Sequence, residues 1–198
     1  MSPRSSDVVA RQTRDAIVEQ ALLVASVEGF DGLTIGGLAG DLGLSKAGVV
    51  GPFGSKQELQ LAAFKRGIEQ FVELVWEPVA TLPAGLPRLK GICEQWIRYH
   101  ERRTLPGGCL VTTASVEFDA RGGALRDAVA SAQGRWLATL AADAEVAVRA
   151  GELPADTDPR EVALLINGLA MSLNQALLLF DDGDAPDRAR RAVARLLG

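Results

Sequence analysis

Very little in this chain could perform nucleophilic or metal chemistry. It has a single histidine, His100, and two cysteines, Cys93 and Cys109. A Ser-His-Asp arrangement needs a histidine oriented by a carboxylate, and metal centres need several ligands at set spacing. All of it would rest on His100 with Glu117 or Cys109, so a small helical enzyme is a remote reading, and neither a metal nor a cofactor is expected. The thiols have neither the number nor the spacing of a disulfide framework or a zinc site, and they read as reduced core residues. Another chemistry is suggested by LSKAGVVGPFGSKQEL, residues 44–59. Ser45 and Ser55 can each cap a helix, and each is followed by a lysine, Lys46 or Lys56.

Helices must position these side chains. Apolar residues recur three and four apart throughout, without the alternation expected of strands, which makes the fold all-α. Ala10, Thr13, Ile17, Ala21, Val24 and Val27 mark a first helix, which Gly29-Phe30 should end near Glu28. Thr34 can cap a second helix buried through Ile35, Leu38, Ala39 and Leu42. Gly43 supplies the turn, Ser45 caps a third helix, and a three-residue connection containing glycine has the form of a helix-turn-helix. Pro52 prevents the third helix from running far beyond Val50. Ser55-Lys56-Gln57-Glu58 is a capping box opening a long apolar stripe from Leu59 to Trp76, which Pro78 ends or bends.

Further helices are expected over 86–103, 109–118, 124–150, 158–180 and 187–197, with breaks at Pro106-Gly107-Gly108 and Gly122-Gly123. Asp158-Pro159-Arg160-Glu161 is a particularly clear helix start. The plan is an N-terminal three-helix helix-turn-helix domain, residues 1–54, joined to a larger six-helix domain, residues 55–198.

The net charge of −4 is unevenly spread. Residues 1–66 carry seven basic and seven acidic side chains, and the remainder fourteen and eighteen. Nucleic-acid binding would therefore use a local patch rather than a basic coat. No run approaches the ~18 consecutive apolar residues of a membrane span, and the start lacks the apolar core of a secretory signal. A cytoplasmic protein without a membrane partner is expected.

Over Arg14 to Leu59 the residues Ala21, Glu28-Gly29-Phe30, Leu33-Thr34-Ile35, Leu38-Ala39, Gly43-Leu44-Ser45-Lys46 and Phe53-Gly54-Ser55-Lys56-Gln57-Glu58-Leu59 resemble the DNA-binding domain of the TetR family of transcriptional regulators. The agreement covers about a quarter of the chain in order, spacing and residue type. The resemblance implies a homodimer joined through its two C-terminal helices, a double-stranded DNA operator read by the third helix, and release by a small-molecule effector held in the larger domain. Repression is the expected outcome, because a dimer on a promoter palindrome blocks polymerase most simply, with activation the other reading. A regulator or architectural protein without an effector is the alternative. The chain departs from the family at Val50, where an aromatic tyrosine is usual, and at Pro52, where histidine or tyrosine is common, so one phosphate anchor is missing.

The outward residues of the third helix are expected to be Ser45, Lys46, Ala47, Gly48, Val50 and Gly51. Lys46 can contact a base edge or phosphate, Ala47 and Val50 can meet thymine methyls, and Gly48 permits close backbone approach. A phosphate clamp would use Thr34, Lys56 with the exposed amides of its helix, and Arg11 or Arg14. Thr34 and Ser55 could equally be helix caps alone. In the larger domain the candidate effector contacts are Trp96, Tyr99, His100, Glu117, Asn167, Met171 and Asn174. Glu117, if buried, would favour a cationic ligand. Asn167 and Asn174 could instead set register at a subunit interface.

Overall fold

A computed structural model describes residues 3–198, with side chains from Asp7 onward, so Met1, Ser2 and the Arg4 side chain lie outside the described part. The helices are α1 Pro3–Gly32, α2 Ile35–Leu42, α3 Lys46–Val50, α4 Lys56–Phe71, α5 Leu86–Glu101, α6 Leu110–Phe118, α7 Ala124–Arg149, α8 Pro159–Leu179 and α9 Ala185–Leu197. No strand occurs among the described residues. The expected stripe from Leu59 to Trp76 is divided: α4 stops at Phe71, a π-helical turn covers Val72–Trp76, and a 3-10 turn containing Pro78 covers Glu77–Val79. Proline cannot continue the α ladder, and the loosened turn before it shifts the register gradually.

The chain forms two compact units, and they cut it differently from the division at residue 54. The first unit combines residues up to Glu69 with Leu105–Ala128, and the second combines Gln70–Thr104 with Val129–Gly198. Helix α6 therefore belongs with the helix-turn-helix. The core of this first unit includes Ile17, Leu22, Phe30, Leu33, Leu38, Val49, Leu59 and Phe64, all buried. Phe30 meets Phe64 and Phe118 edge-to-face at 6.2 and 6.1 Å, geometry that favours the positive ring edge over a neighbouring face.

Two glycines make the seating of α6 on α1 feasible. At Gly29 the backbone has φ +73° and ψ 173°, which breaks the helix near its expected end at Glu28. A Cβ there would lie 2.9 Å from Glu117 Oε2. At Gly107 a Cβ would collide with the Ser26 carbonyl, while the Gly107 amide donates to Ser26 Oγ at 3.2 Å. Helix α6 brings Glu117, whose two oxygens accept from Phe30 N at 2.9 Å and Asp31 N at 3.0 Å. Those amides begin the last helical stretch of α1 and have no intrahelical acceptor after the Gly29 break, so the carboxylate caps it from a distance. Arg121 pairs with Asp31 at 2.5 Å, and its guanidinium lies 5.2 Å from the centre of the Phe118 ring.

In the second unit α5, α8 and α9 pack together, with Ile97, Leu173, Leu177, Ala185 and Ala189 at their centre. Helix α8 has a mean hydropathy of 1.7 over an 18-residue window, long and apolar enough by composition to cross a membrane, although Asn167 and Asn174 interrupt its apolar run. Its inner face packs on α5 and α9. Leu164, Leu165 and Leu179 remain exposed on it.

Candidate nucleic-acid interface and effector cavity

Thr34 and Ser45 cap α2 and α3 as their positions demand: each hydroxyl oxygen accepts from the amide three residues on, Gly37 N at 3.0 Å and Gly48 N at 3.0 Å. Ser55 does the same for Glu58 N at 3.1 Å. A hydroxyl accepting through a lone pair keeps its own hydrogen. Capping and donation to a phosphate oxygen are thus compatible, and the two readings of Thr34 do not exclude one another. Between α2 and α3, Gly43 adopts φ +64° and its amide reaches back to α2.

Inside this turn Val49 is fully buried, and that anchors α3 so that Ser45, Lys46, Ala47, Gly48 and Gly51 are exposed. Val50 is half-buried, which leaves it a smaller face for thymine methyls than Ala47 has. The Lys46 stem lies along the first turn of α2, where a Cβ on Gly36 would sit 3.5 Å from Lys46 Cε. Gly51 has a structural duty of its own, since a Cβ there would be 2.9 Å from the Ala47 carbonyl oxygen. Arg11, Arg14 and Lys56 are exposed. The Arg14 guanidinium stacks 4.8 Å from the Phe53 ring centre, and so is held at the same end of the unit as the Ser55-capped start of α4. The sequence reading missed this pair because the two residues are 39 positions apart and lie in different elements.

The seven effector candidates separate. Glu117 lies in the first unit, 13% exposed, and is committed to the α1 amides, so it leaves the pocket set, and with it goes the reason to expect a cation. Trp96, Tyr99 and His100 are buried on α5 in the second unit. Phe71 meets Trp96, Tyr99 and Trp136 edge-on at 5.6, 5.7 and 5.0 Å, and Trp96 meets Trp136 at 5.5 Å. Asn167 accepts from Gln133 Nε2 at 2.7 Å and donates to Met171 Sδ at 3.5 Å. Asn167 and Met171 are half-buried on α8, and Asn174 is buried.

Trp96 and His100 also border a cavity of about 20 Å³ between α5, α8 and α9, with Ile97, Leu169, Leu173 and Val193 among its walls. Burial in these surroundings lowers the His100 pKa to about 4, because an imidazolium there would lose its hydration. An unfolded chain takes up a proton near pH 6.5 and the folded one only near 4, so stability falls as pH drops through that window. His100→Phe is expected to remove this component, seen as a shallower fall of denaturation midpoint between pH 6.5 and 4.

No curated protein sequence matches the chain. Residues 85–193, more than half of it, match the domain family described as tetracyclin repressor-like, C-terminal domain. The chain belongs to the TetR family of transcriptional regulators. A TetR transcriptional regulator from Chloroflexus aurantiacus J-10-FL is similar over 94% of both chains, with 25% identity and a TM-score of 0.85. AibR, crystallised with isovaleryl coenzyme A and operator DNA, is 19% identical over 93% of this chain and 97% of its own, with a TM-score of 0.76. The TetR-family regulator CifR, a cysteine mutant complexed with 26-bp operator DNA, is 22% identical over 93% of this chain and 94% of its own, at a TM-score of 0.73.

For a TetR-family regulator the helix-turn-helix of this chain is complete in its backbone and sparse in its side chains. Of the exposed α3 residues only Ser45 and Lys46 carry a polar hydrogen on the side chain. Helix α3 correspondingly offers few hydrogen-bond donors.

Proposed function

We propose that this protein is a cytoplasmic homodimeric repressor that binds a palindromic double-stranded DNA operator through α3 and is released when a small-molecule effector binds the second unit. The observation that carries the DNA half is the α2-turn-α3 geometry, in which a fully buried Val49 leaves Ser45, Lys46, Ala47 and Gly48 exposed together. Phosphate contacts from Thr34, Lys46, Lys56, Arg11 and Arg14 would fix register, and sequence-dependent DNA shape would supply much of the discrimination. The 1–54 segment is the DNA-reading part in this scheme and 55–198 the effector-binding and dimerising part. The exposed Leu164, Leu165 and Leu179 of α8 support dimerisation, because an apolar stripe of this kind lowers its free energy when covered. Half-buried Asn167 and Met171 lie on that helix too, and Asn167, tied to Gln133, would be pre-organised at a pocket or interface edge.

The test is footprinting of purified protein on the DNA flanking its own gene, titrated against salt. Protection of a palindrome with half-sites about one helical turn apart, or a multiple of it, supports the reading. Weak binding without sequence preference refutes it. Within this assay Lys56→Ala should weaken all sequences alike and shallow the log K against log salt slope by about one, as expected for one phosphate contact. An unchanged slope would remove Lys56 from the clamp.

A further inference from the structure

We propose that Phe53 is a positioning residue for DNA binding: its ring holds the Arg14 guanidinium ready for one backbone phosphate, and so supplies an anchor that the side chains of Val50 and Pro52 do not. The inference rests on the DNA-binding regulator described above and names how one of its phosphate contacts is built.

The pair is assembled from distant segments of the first unit. Arg14 is an exposed residue of α1, and its guanidinium carbon lies 4.8 Å from the centre of the half-buried Phe53 ring. A ring face attracts a cation within about 6 Å. Phe53 stands in the turn between α3 and α4, where its amide and that of Gly54 both donate to the Val50 carbonyl oxygen at 2.9 Å. Gly54 closes this turn at φ +80°, in the left-handed region that favours glycine. Backbone bonds therefore tie the ring to the end of α3. Phe53 is three residues from Val50 and three from Lys56, so its Cα lies within about 11 Å of each. Charges on one DNA strand recur about every 3.4 Å of helix axis. The exposed Lys56 and a guanidinium beside Phe53 can thus meet phosphates of one short stretch of backbone.

The charges around Arg14 leave it available to an external anion. It shares a groove of about 360 Å³ between α1 and α4 with Asp15, Glu19, Lys65, Arg66 and Glu69. Glu19 is taken by Arg66 at 2.6 Å, and Glu69 faces Lys65 at 3.8 Å. Asp15, the next residue along α1, stands about 100° round the helix from Arg14. Arg14 makes no ion pair among the described residues, and the Phe53 ring is what holds it. A ring against one face of a guanidinium leaves the N–H edge free, and that planar edge can meet two phosphate oxygens at once. An arginine that docks from solution gives up rotamer freedom as it does so. Stacking on Phe53 takes part of that loss before DNA arrives.

The experiment measures binding of the full chain to the DNA flanking its own gene and to a duplex of unrelated sequence, each titrated against salt. Arg14→Ala should weaken both by about tenfold and shallow the log K against log salt slope by about one. Phe53→Leu stays apolar but loses the ring, and it should weaken both by about two- to fivefold at an unchanged slope. In the Arg14→Ala background Phe53→Leu should cost nothing further. Arg14→Lys keeps the charge without the planar fork, alters only an exposed side chain, and should lose about threefold at an unchanged slope. Equal losses from Phe53→Leu in both backgrounds would make the ring merely structural and overturn the proposal. An unchanged slope in Arg14→Ala, or full affinity in Arg14→Lys, would overturn it too. Those outcomes with a protected palindrome leave the regulator reading intact. Equal binding of both duplexes by the unaltered chain refutes that reading instead, and the Arg14 and Phe53 variants still decide this one.

Discussion

Asp143→Ala is expected to destabilise the second unit by about 3 kcal/mol, the lower end of the cost of breaking a buried ion pair. Asp143 is 1% exposed on α7 and takes two bonds from Arg88, Nε at 2.8 Å and Nη2 at 2.7 Å. It also accepts from Gly85 N at 3.3 Å, at the start of α5. The Arg88 pKa is raised, first by the hydrogen bonds to Asp143, and the guanidinium lies 5.4 Å from the Trp76 ring centre. Alanine would strand a cation against that ring and leave the Gly85 amide without its acceptor. Arg88 keeps 22% of its side chain exposed and can recover some hydration, which is why the lower figure applies. For a chain of this length the loss corresponds to a fall in midpoint of roughly 6–12 °C. Calorimetry of the single variants and of Asp143→Leu with Arg88→Met separates pairing from burial. The double variant should recover the part of the loss due to the stranded charge, since an apolar pair of similar volume carries no desolvation cost, while the Gly85 amide stays without its acceptor. A drop below about 1 kcal/mol in Asp143→Ala would show that Arg88 is solvated without its partner.

Glu117→Ala is the second large effect, and it falls on the unit that carries the helix-turn-helix. Its carboxylate accepts from two successive amides, Phe30 N and Asp31 N, and hydrogen bonds to a charged group contribute roughly 1.5–3 kcal/mol each. Because the two share one carboxylate, we expect about 3 kcal/mol in total rather than the sum. The loss should be local. Amide exchange at Phe30 and Asp31 should quicken by about 100-fold, the equivalent of that energy, while Ile92 and Leu173 in the second unit keep their protection. Glu117→Gln retains one accepting oxygen but turns an amide donor toward the other N–H, so it should rescue little. Operator affinity is expected to fall in both variants, because Phe30 packs on Phe64 of α4 and its carbonyl accepts from Gln60 Nε2 at 2.7 Å. Unchanged exchange at Phe30 would mean that water replaces the carboxylate without cost.

What was readable before folding was local. Thr34, Ser45 and Asp158 cap their helices because each oxygen reaches an amide two or three residues along, and nothing distant is needed. Gly29, Gly43 and Pro52 interrupt helices for equally local steric reasons. The helix order among the described residues and the helix-turn-helix were therefore present in the sequence, as was the exposure of Ala47 on the side away from buried Val49, since two residues span about 200° at a period of 3.6.

Tertiary structure alone decided the rest. Glu117 looked like a pocket residue because a single acid after an apolar run has no visible partner, yet its partners stand 87 and 86 residues earlier. Asp143 drew no attention for the same reason, with Arg88 55 residues away. Helix α6 joins the first unit although its neighbours in the chain build the second, since a bare Gly107 lets it approach Ser26. Local torsions and bonds within one turn placed most helix boundaries and the turn before α3, but not the break after Phe71 or the partial burial of Val50. Packing determined which carboxylates are structural and which aromatic residues border a cavity, because those depend on groups that meet only when distant segments close on one another.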